Sequence, residues 1–159
     1  MSALDEAIRR LMAQRSCLDR AAETVGAMPG EALLIGFGDG TAYHHLRAIA
    51  PRREIFVFDR AIDAEVALDL PAERIVLGDP LQTLPLAWDR IMRSAVIACL
   101  NFPVTNPPRL AGEIAPLLAP MMAPGGVAVS EKALDIPGWS ELPLPASIGP
   151  GRFHLYRAN

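Results

Sequence analysis

The sequence predicts an α/β protein built on a doubly wound, mostly parallel seven-stranded sheet, and three observations carry that expectation. Short apolar runs without alternation recur between helix-like segments, as strands buried on both faces do. The early runs end in glycine or aspartate, the turn chemistry of a strand handing over to a helix. The richest such end, Glu31-Ala-Leu-Leu-Ile-Gly36-Phe37-Gly38-Asp39-Gly40, sets glycines at every second position behind four apolar residues.

Residues 2–26 read as an N-terminal helix. Ser2 with Asp5 resembles a capping box, with Asp in place of the usual Glu or Gln. Leu4, Ile8, Leu11, Met12, Leu18, Ala22 and Val25 recur at helical spacing, a stripe expected to pack on the core, and the segment 26–30 ends the helix. Residues 32–35, the most uniformly apolar run, form a central strand, and 41–50 the helix behind the glycine loop. Glu54 to Asp59 and Arg74 to Asp79 are two further strands closed by an acid. Residues 61–70 read as a weak helix or loop, and Leu81 to Asp89, with Pro85 inside, as a poor short helix. Ser94 to Leu100 is the fourth buried strand and Leu110 to Leu118 a helix. A turn at 123–126 precedes the fifth strand, Val127 to Ser130. Phe153 to Tyr156 closes the chain as a strand paired with 139–142. The Pro-rich stretches 101–108 and 137–150 read as ordered loops, so residues 1–159 make one domain.

The glycine loop lies between a strand's carboxyl end and a helix N-terminus, where free N–H groups and the helix dipole favour a polar or anionic ligand. A dinucleotide fingerprint needs glycine at the first, third and sixth positions. Counted from Gly36, the sixth position is Thr41, which leaves G-x-G-x-G. Asp59 lies 23 positions after Gly36, near the offset at which an acid on the second strand meets ribose hydroxyls. A carboxylate has acceptor sites for both donors of a vicinal diol. Asp79 repeats the pattern one strand later.

Composition narrows the classes. A 159-residue chain with 51% hydrophobic residues and net charge −3 can bury one core and has no basic footprint for nucleic acid. Lys132 is the only lysine. Cys17 and Cys99 lie in apolar surroundings without metal-ligand spacing, as free thiols of a reducing, cytoplasmic compartment do. The charged N-terminus is no signal peptide, and no apolar run could span a membrane.

In Leu11-Met-Ala-Gln14-Arg15-Ser-Cys17-Leu18-Asp19, the glycine loop with Tyr43 and His45-Leu46-Arg47, and Arg53 to Ala61, the chain resembles a small bacterial family of class I S-adenosylmethionine (SAM) dependent methyltransferases. The likeness continues through Leu77-Gly78-Asp79, Leu117 to Pro120 before Gly125-Gly126, and Gly138 to Pro145 before Gly151-Arg152-Phe153. The resemblance implies a Rossmann-like sheet in the order 3-2-1-4-5-7-6, with only the penultimate or last strand antiparallel, and SAM as cofactor. The cofactor-binding residues expected from it are Gly36, Phe37, Gly38, Asp39, Gly40, Asp59, Arg60, Asp79, Pro80 and Asn101. Asp59 would take the ribose, and Asp79 the adenine amino group.

Two positions depart from the pattern. Leu34 stands where such enzymes carry an acid that helps hold the methionine ammonium, and Asn101 where the fourth strand ends in an acid. Asn106-Pro107-Pro108-Arg109 resembles the Asn-Pro-Pro-aromatic motif of amino-group methyltransferases, but it comes late after the strand and ends in arginine, and the prolines suit a helix start. Adjacent His44 and His45 point about 100° apart and cannot readily share a metal, so no metal is expected. Glu131 and Lys132 follow the fifth strand, where the alternatives are a place lining the cleft rim and a solvated loop.

The expected function is SAM-dependent methyl transfer to an acceptor the residues do not name, a small molecule or an accessible protein group. A non-catalytic SAM-binding sensor or partner subunit, and a nucleotide-dependent oxidoreductase, are the alternatives. With no lid in the sequence, a second copy of the chain is expected to help cover the cleft as a homodimer.

Overall fold

Four consecutive apolar residues make β1 (Ala32–Ile35) a strand covered on both faces, and all four are fully buried. The computed structural model, which describes residues 1–102, 109–149 and 151–159, places it inside a seven-stranded sheet ordered β3-β2-β1-β4-β5-β7-β6. The remaining strands are β2 (Ile55–Asp59), β3 (Ile75–Leu77), β4 (Ala95–Leu100), β5 (Met122–Ser130), β6 (Ser140–Leu142) and β7 (His154–Arg157). β1 through β5 pair in parallel, and β7 runs antiparallel to both β5 and β6. The sheet order and the single reversed strand agree with expectation. β1 lies where successive connections leave in opposite directions, the switch point at which such sheets bind ligands.

Alternation along the strands sorts their side chains into two cores. Leu34, Val57, Cys99 and Val129 meet α1 (Ala3–Val25) and α2 (Thr41–Ile49) on one face. Leu33, Ile35, Phe58 and Leu100 meet α4 (Pro80–Leu86) and α5 (Leu110–Leu118) on the other. Each fully buried aliphatic side chain contributes roughly 1.5–3 kcal/mol. The weak segment at 61–70 yields only α3 (Ala64–Ala67), started by Asp63 accepting from the Glu65 N–H. α4 tolerates Pro85 because it is a two-turn helix with Pro80 at its start.

Two expectations need correction. The stripe on α1 does not pack as one face: Leu18 and Val25 are buried, but Leu4, Ile8, Leu11 and Met12 are 69, 47, 43 and 53% exposed. Length is the reason. The 23 residues of α1 span about 35 Å, whereas the four of β1 span only about 13 Å, so the first turns project past the sheet. The buried face is instead Ala13, Gln14, Cys17, Leu18, Ala21 and Val25. The second correction is at β5. It starts at Met122, paired with Ala95, and the glycines expected as a turn are absorbed in a register shift between Ala95 and Ile97. The Ser2–Asp5 capping box is formed as expected, and Arg152 binds Glu6 at 2.6 Å to hold the last loop against α1.

Candidate functional site

The glycine loop turns where β1 and β4 converge. Gly36 has φ +94°, and a Cβ on it would run into the carbonyl oxygen of Asn101. Only glycine meets both demands. Asn101 then fixes the loop from beside it: its Nδ2 donates to the Gly36 carbonyl at 3.1 Å, while its Oδ1 accepts from Gln14 Nε2 on α1 at 2.8 Å. The Phe37 side chain turns into the core, 1% exposed and 5.9 Å from the Tyr43 ring centroid. It therefore offers a site only its main chain. That N–H donates to Asp59 Oδ2 at 2.7 Å, and the Arg60 N–H donates to Oδ1 at 2.6 Å.

A cleft of about 470 Å³ opens over the carboxyl ends of β1 to β4. From the expected set it brings together Gly36, Gly38, Asp59, Arg60, Asp79 and Pro80. Asp79 starts α4 by accepting from the Leu81 N–H at 3.0 Å, and its other oxygen meets Arg60 Nη2 at 3.3 Å. The Arg60 side chain is 72% exposed, so this pair is weak and exchangeable. Asp39 and Gly40 do not line the cleft. Asp39 serves α2, where the Thr41 N–H, then its hydroxyl, hold the carboxyl below the usual range. A larger hollow, about 630 Å³, lies at the opposite, amino ends of the strands between residues 26–31 and 49–54. Ligands of open α/β sheets bind at the carboxyl ends, which favours the smaller cleft.

The wall of the cleft carries the acceptor side chains of Asp59, Asp79 and Glu113. Asp59 accepts one bond at each oxygen from main-chain donors, about half of a carboxylate's roughly four acceptor sites. Sequence reasoning missed Phe58, Leu81, Phe102, Arg109, Leu110 and Glu113, which complete the lining. Phe58 is fully buried, in the core between the sheet and α4 and α5. Phe102 had a signal, since it directly follows the strand-end residue Asn101. Arg109, Leu110 and Glu113 arrive through the packing of α5, which no local pattern encodes. Residues 106–108 of the Asn-Pro-Pro segment lie outside the described residues.

The histidines face elsewhere. His45 Nε2 meets Asp19 Oδ1 at 2.7 Å between α2 and α1, His154 Nδ1 meets Glu141 at 2.9 Å, and His44 is exposed. Among the described residues no group of three His, Cys, Asp or Glu could hold a metal. Burial pushes the thiol of Cys17 up to about 11 and that of Cys99 up to about 12. Both are therefore inert at neutral pH. Glu131, directly after β5, is outside the residues that line the cleft and pairs with Arg10 of α1 at 2.9 Å. No helix among the described residues is long and apolar enough to cross a membrane.

Comparisons with known proteins bear on the family and the fold. The chain matches the model of a family described as S-adenosyl-L-methionine methyltransferase over residues 1–158. An S-adenosyl-L-methionine methyl transferase from Silicibacter pomeroyi DSS-3, known from a crystal structure, is 35% identical at TM-score 0.92, over 100% of this chain and 99% of that one. MycE methyltransferase of the mycinamycin biosynthetic pathway, solved with Mg and SAH, is similar at TM-score 0.59 and 17% identity, over 100% of this chain and 49% of its own. Spermidine synthase from Thermotoga maritima is similar at TM-score 0.58 and 14% identity, over 91% of this chain and 58% of its own. These last two likenesses show the fold alone, and their names differ in activity. No curated protein matches the chain in sequence.

Proposed function

The chain belongs to the S-adenosyl-L-methionine methyltransferase family, and on that premise we propose how it holds SAM and what class of acceptor it methylates. It is a SAM-dependent methyltransferase. In our reading the adenosine lies in the cleft over β1 to β4, and the observation that carries this is the pair Asp59 and Asp79 on one wall beside Gly36 and Gly38. When bound, the cofactor supplies an activated methyl group on a sulfonium sulfur.

The chain's residues do the rest. Asp59 presents its remaining acceptor sites to the ribose diol. Asp79 exchanges the loosely held Arg60 for the adenine amino group. The bare main chain at Gly36 and Gly38 lets the ligand approach closely, while Phe37, Asp39 and Gly40 shape the loop and Pro80 starts the helix beneath the adenine. Leu81, Phe102 and Leu110 exclude water from the buried side. Asn101, an amide, stands at the strand end where a base would be useful and cannot take a proton. The acceptor must therefore arrive already nucleophilic, and alignment with desolvation supplies the rate.

A small acceptor fits a cleft of this size and a chain with net charge −3. Nucleic acid does not suit that charge. Two copies of the chain pair through the exposed stripe of Leu4, Ile8, Leu11 and Met12. Antiparallel pairing of two α1 helices would bury those side chains and set the acidic Asp5 of each near the arginines of the other. Free buried thiols support a reducing, cytoplasmic setting. The test is transfer of labelled methyl from SAM into cell extract split by size. Label in the small-molecule fraction is expected, and label confined to protein or nucleic acid overturns the acceptor class.

A further inference from the structure

Helix α1 runs along one sheet face and past the carboxyl ends of β4 and β5, and its inward side changes character on the way. Cys17, Leu18, Ala21 and Val25 enter the apolar core. One and two turns earlier, Gln14 and Arg10 meet polar partners instead. Gln14, only 5% exposed, donates to Asn101, which in turn holds Gly36. Arg10 Nε donates to Glu131 Oε2 at 2.9 Å, joining residues 121 positions apart just beyond the end of β5. Their side chains are 25 and 28% exposed. The Arg10 charge also reaches the glycine loop: after the Thr41 donors, it is a further cause of the low Asp39 carboxyl.

Leu34 sharpens the question of what holds the amino-acid end of the cofactor. It is fully buried among apolar side chains and has no polar atom to offer. An α-amino acid brings a carboxylate and an ammonium a few ångströms apart, and both need partners if they leave water. We propose that α1 and the end of β5 form this subsite, with Arg10 taking the α-carboxylate and Glu131 the α-ammonium. Gln14 and Asn101 hold helix and loop at the right separation. The proposal rests on the SAM reading above. A standing cation–anion pair is complementary to a zwitterion, because each ion can exchange its mate for the ligand's opposite charge and neither is left unpaired. The planar fork of arginine suits a carboxylate.

Calorimetry with S-adenosylhomocysteine and methylthioadenosine isolates the amino-acid end, which only the first ligand carries. The wild-type protein is expected to prefer S-adenosylhomocysteine by at least about tenfold. Arg10→Gln and Glu131→Gln should each erase most of that preference and leave methylthioadenosine binding unchanged. The reversed pair, Arg10→Glu with Glu131→Arg, keeps an ion pair between α1 and β5 and should keep the thermal midpoint, yet bind S-adenosylhomocysteine no better than the single variants. A preference that survives in the single variants, or full affinity in the reversed pair, assigns the two residues to the fold alone and overturns the proposal. Equal wild-type affinity for the two ligands overturns this subsite but not the adenosine site. Binding of neither ligand overturns both.

Discussion

The main-chain N–H of Phe37 donates to Asp59 Oδ2 across 2.7 Å, tying the glycine loop to the tip of the second strand. One carboxylate thus braces the loop and faces the cleft. Asp59→Ala is expected to lower SAM affinity by more than about tenfold, from lost bonds to a charged acceptor worth roughly 1.5–3 kcal/mol each. Asp59→Asn keeps an acceptor for only one of the two N–H donors and should fall between. Unchanged affinity by calorimetry in Asp59→Ala would count against the ribose assignment.

Asp79→Ala should separate differently. Its carboxyl starts α4, so the loss of that cap should cost about 1 kcal/mol of folding stability. SAM affinity should fall less than in Asp59→Ala, because water replaces one adenine contact more easily than a diol clamp. Denaturant titration and calorimetry on the same variant give both numbers.

Gly36→Ala should damage the fold before it damages binding. The left-handed φ costs of order 1–3 kcal/mol for a residue with a Cβ, and the Asn101 carbonyl must also move. A chain of this size loses about 2–4 °C of Tm per kcal/mol. A drop within 2 °C, read by circular dichroism, would be incompatible with the close approach described.

The two buried thiols predict an alkaline limit to stability. Unfolded cysteine ionises near pH 8.5, whereas burial holds Cys17 near 11 and Cys99 near 12. Above the unfolded value the native chain binds more protons than the unfolded one. The stability from keeping the thiols neutral is whole below about pH 8.5 and falls as pH rises through the folded values. Urea midpoints from about pH 8 to pH 11 should decline more steeply in wild type than in Cys17→Ala/Cys99→Ala. Equal slopes would trace the decline to other groups.

Assembly is tested at Ile8, 47% exposed on the projecting part of α1. Light scattering should report a dimer for wild type at micromolar concentration and a monomer for Ile8→Glu with an unchanged Tm. A wild-type monomer with full SAM affinity would remove the dimer.

Local chemistry made the strands and the glycine loop legible. Short uninterrupted apolar runs closed by glycine, such as 32–35, read as strands covered twice, and a glycine in close contact leaves a visible residue type. The exposed Leu4 to Met12 stripe was illegible because periodicity reports which side of a helix is apolar, not where the neighbouring sheet stops. The cleft lining from α5 and the partners of α1 were hidden for a related reason. Arg10 meets Glu131, and Gln14 meets Asn101, only after the whole sheet has closed between them. Asp59 is singled out by its offset from Gly36 and Asp79 by the repeated strand-end acid, but their bonds to Phe37, Arg60 and Leu81 belong to turn geometry that neither signal encodes.

The reversal of β7 has a practical side. Because that strand runs against β5, Asn159 leaves the sheet at the ends opposite the glycine loop, beside Gly138. Met1 precedes Ser2, the cap of the helix that projects past the carboxyl ends of β4 and β5. A purification handle or surface anchor fused after Asn159 would leave the mouth facing solution, whereas the same handle ahead of Met1 would crowd those carboxyl ends and the stripe beside them. Assays for an unidentified acceptor are best run on protein tethered through its tail.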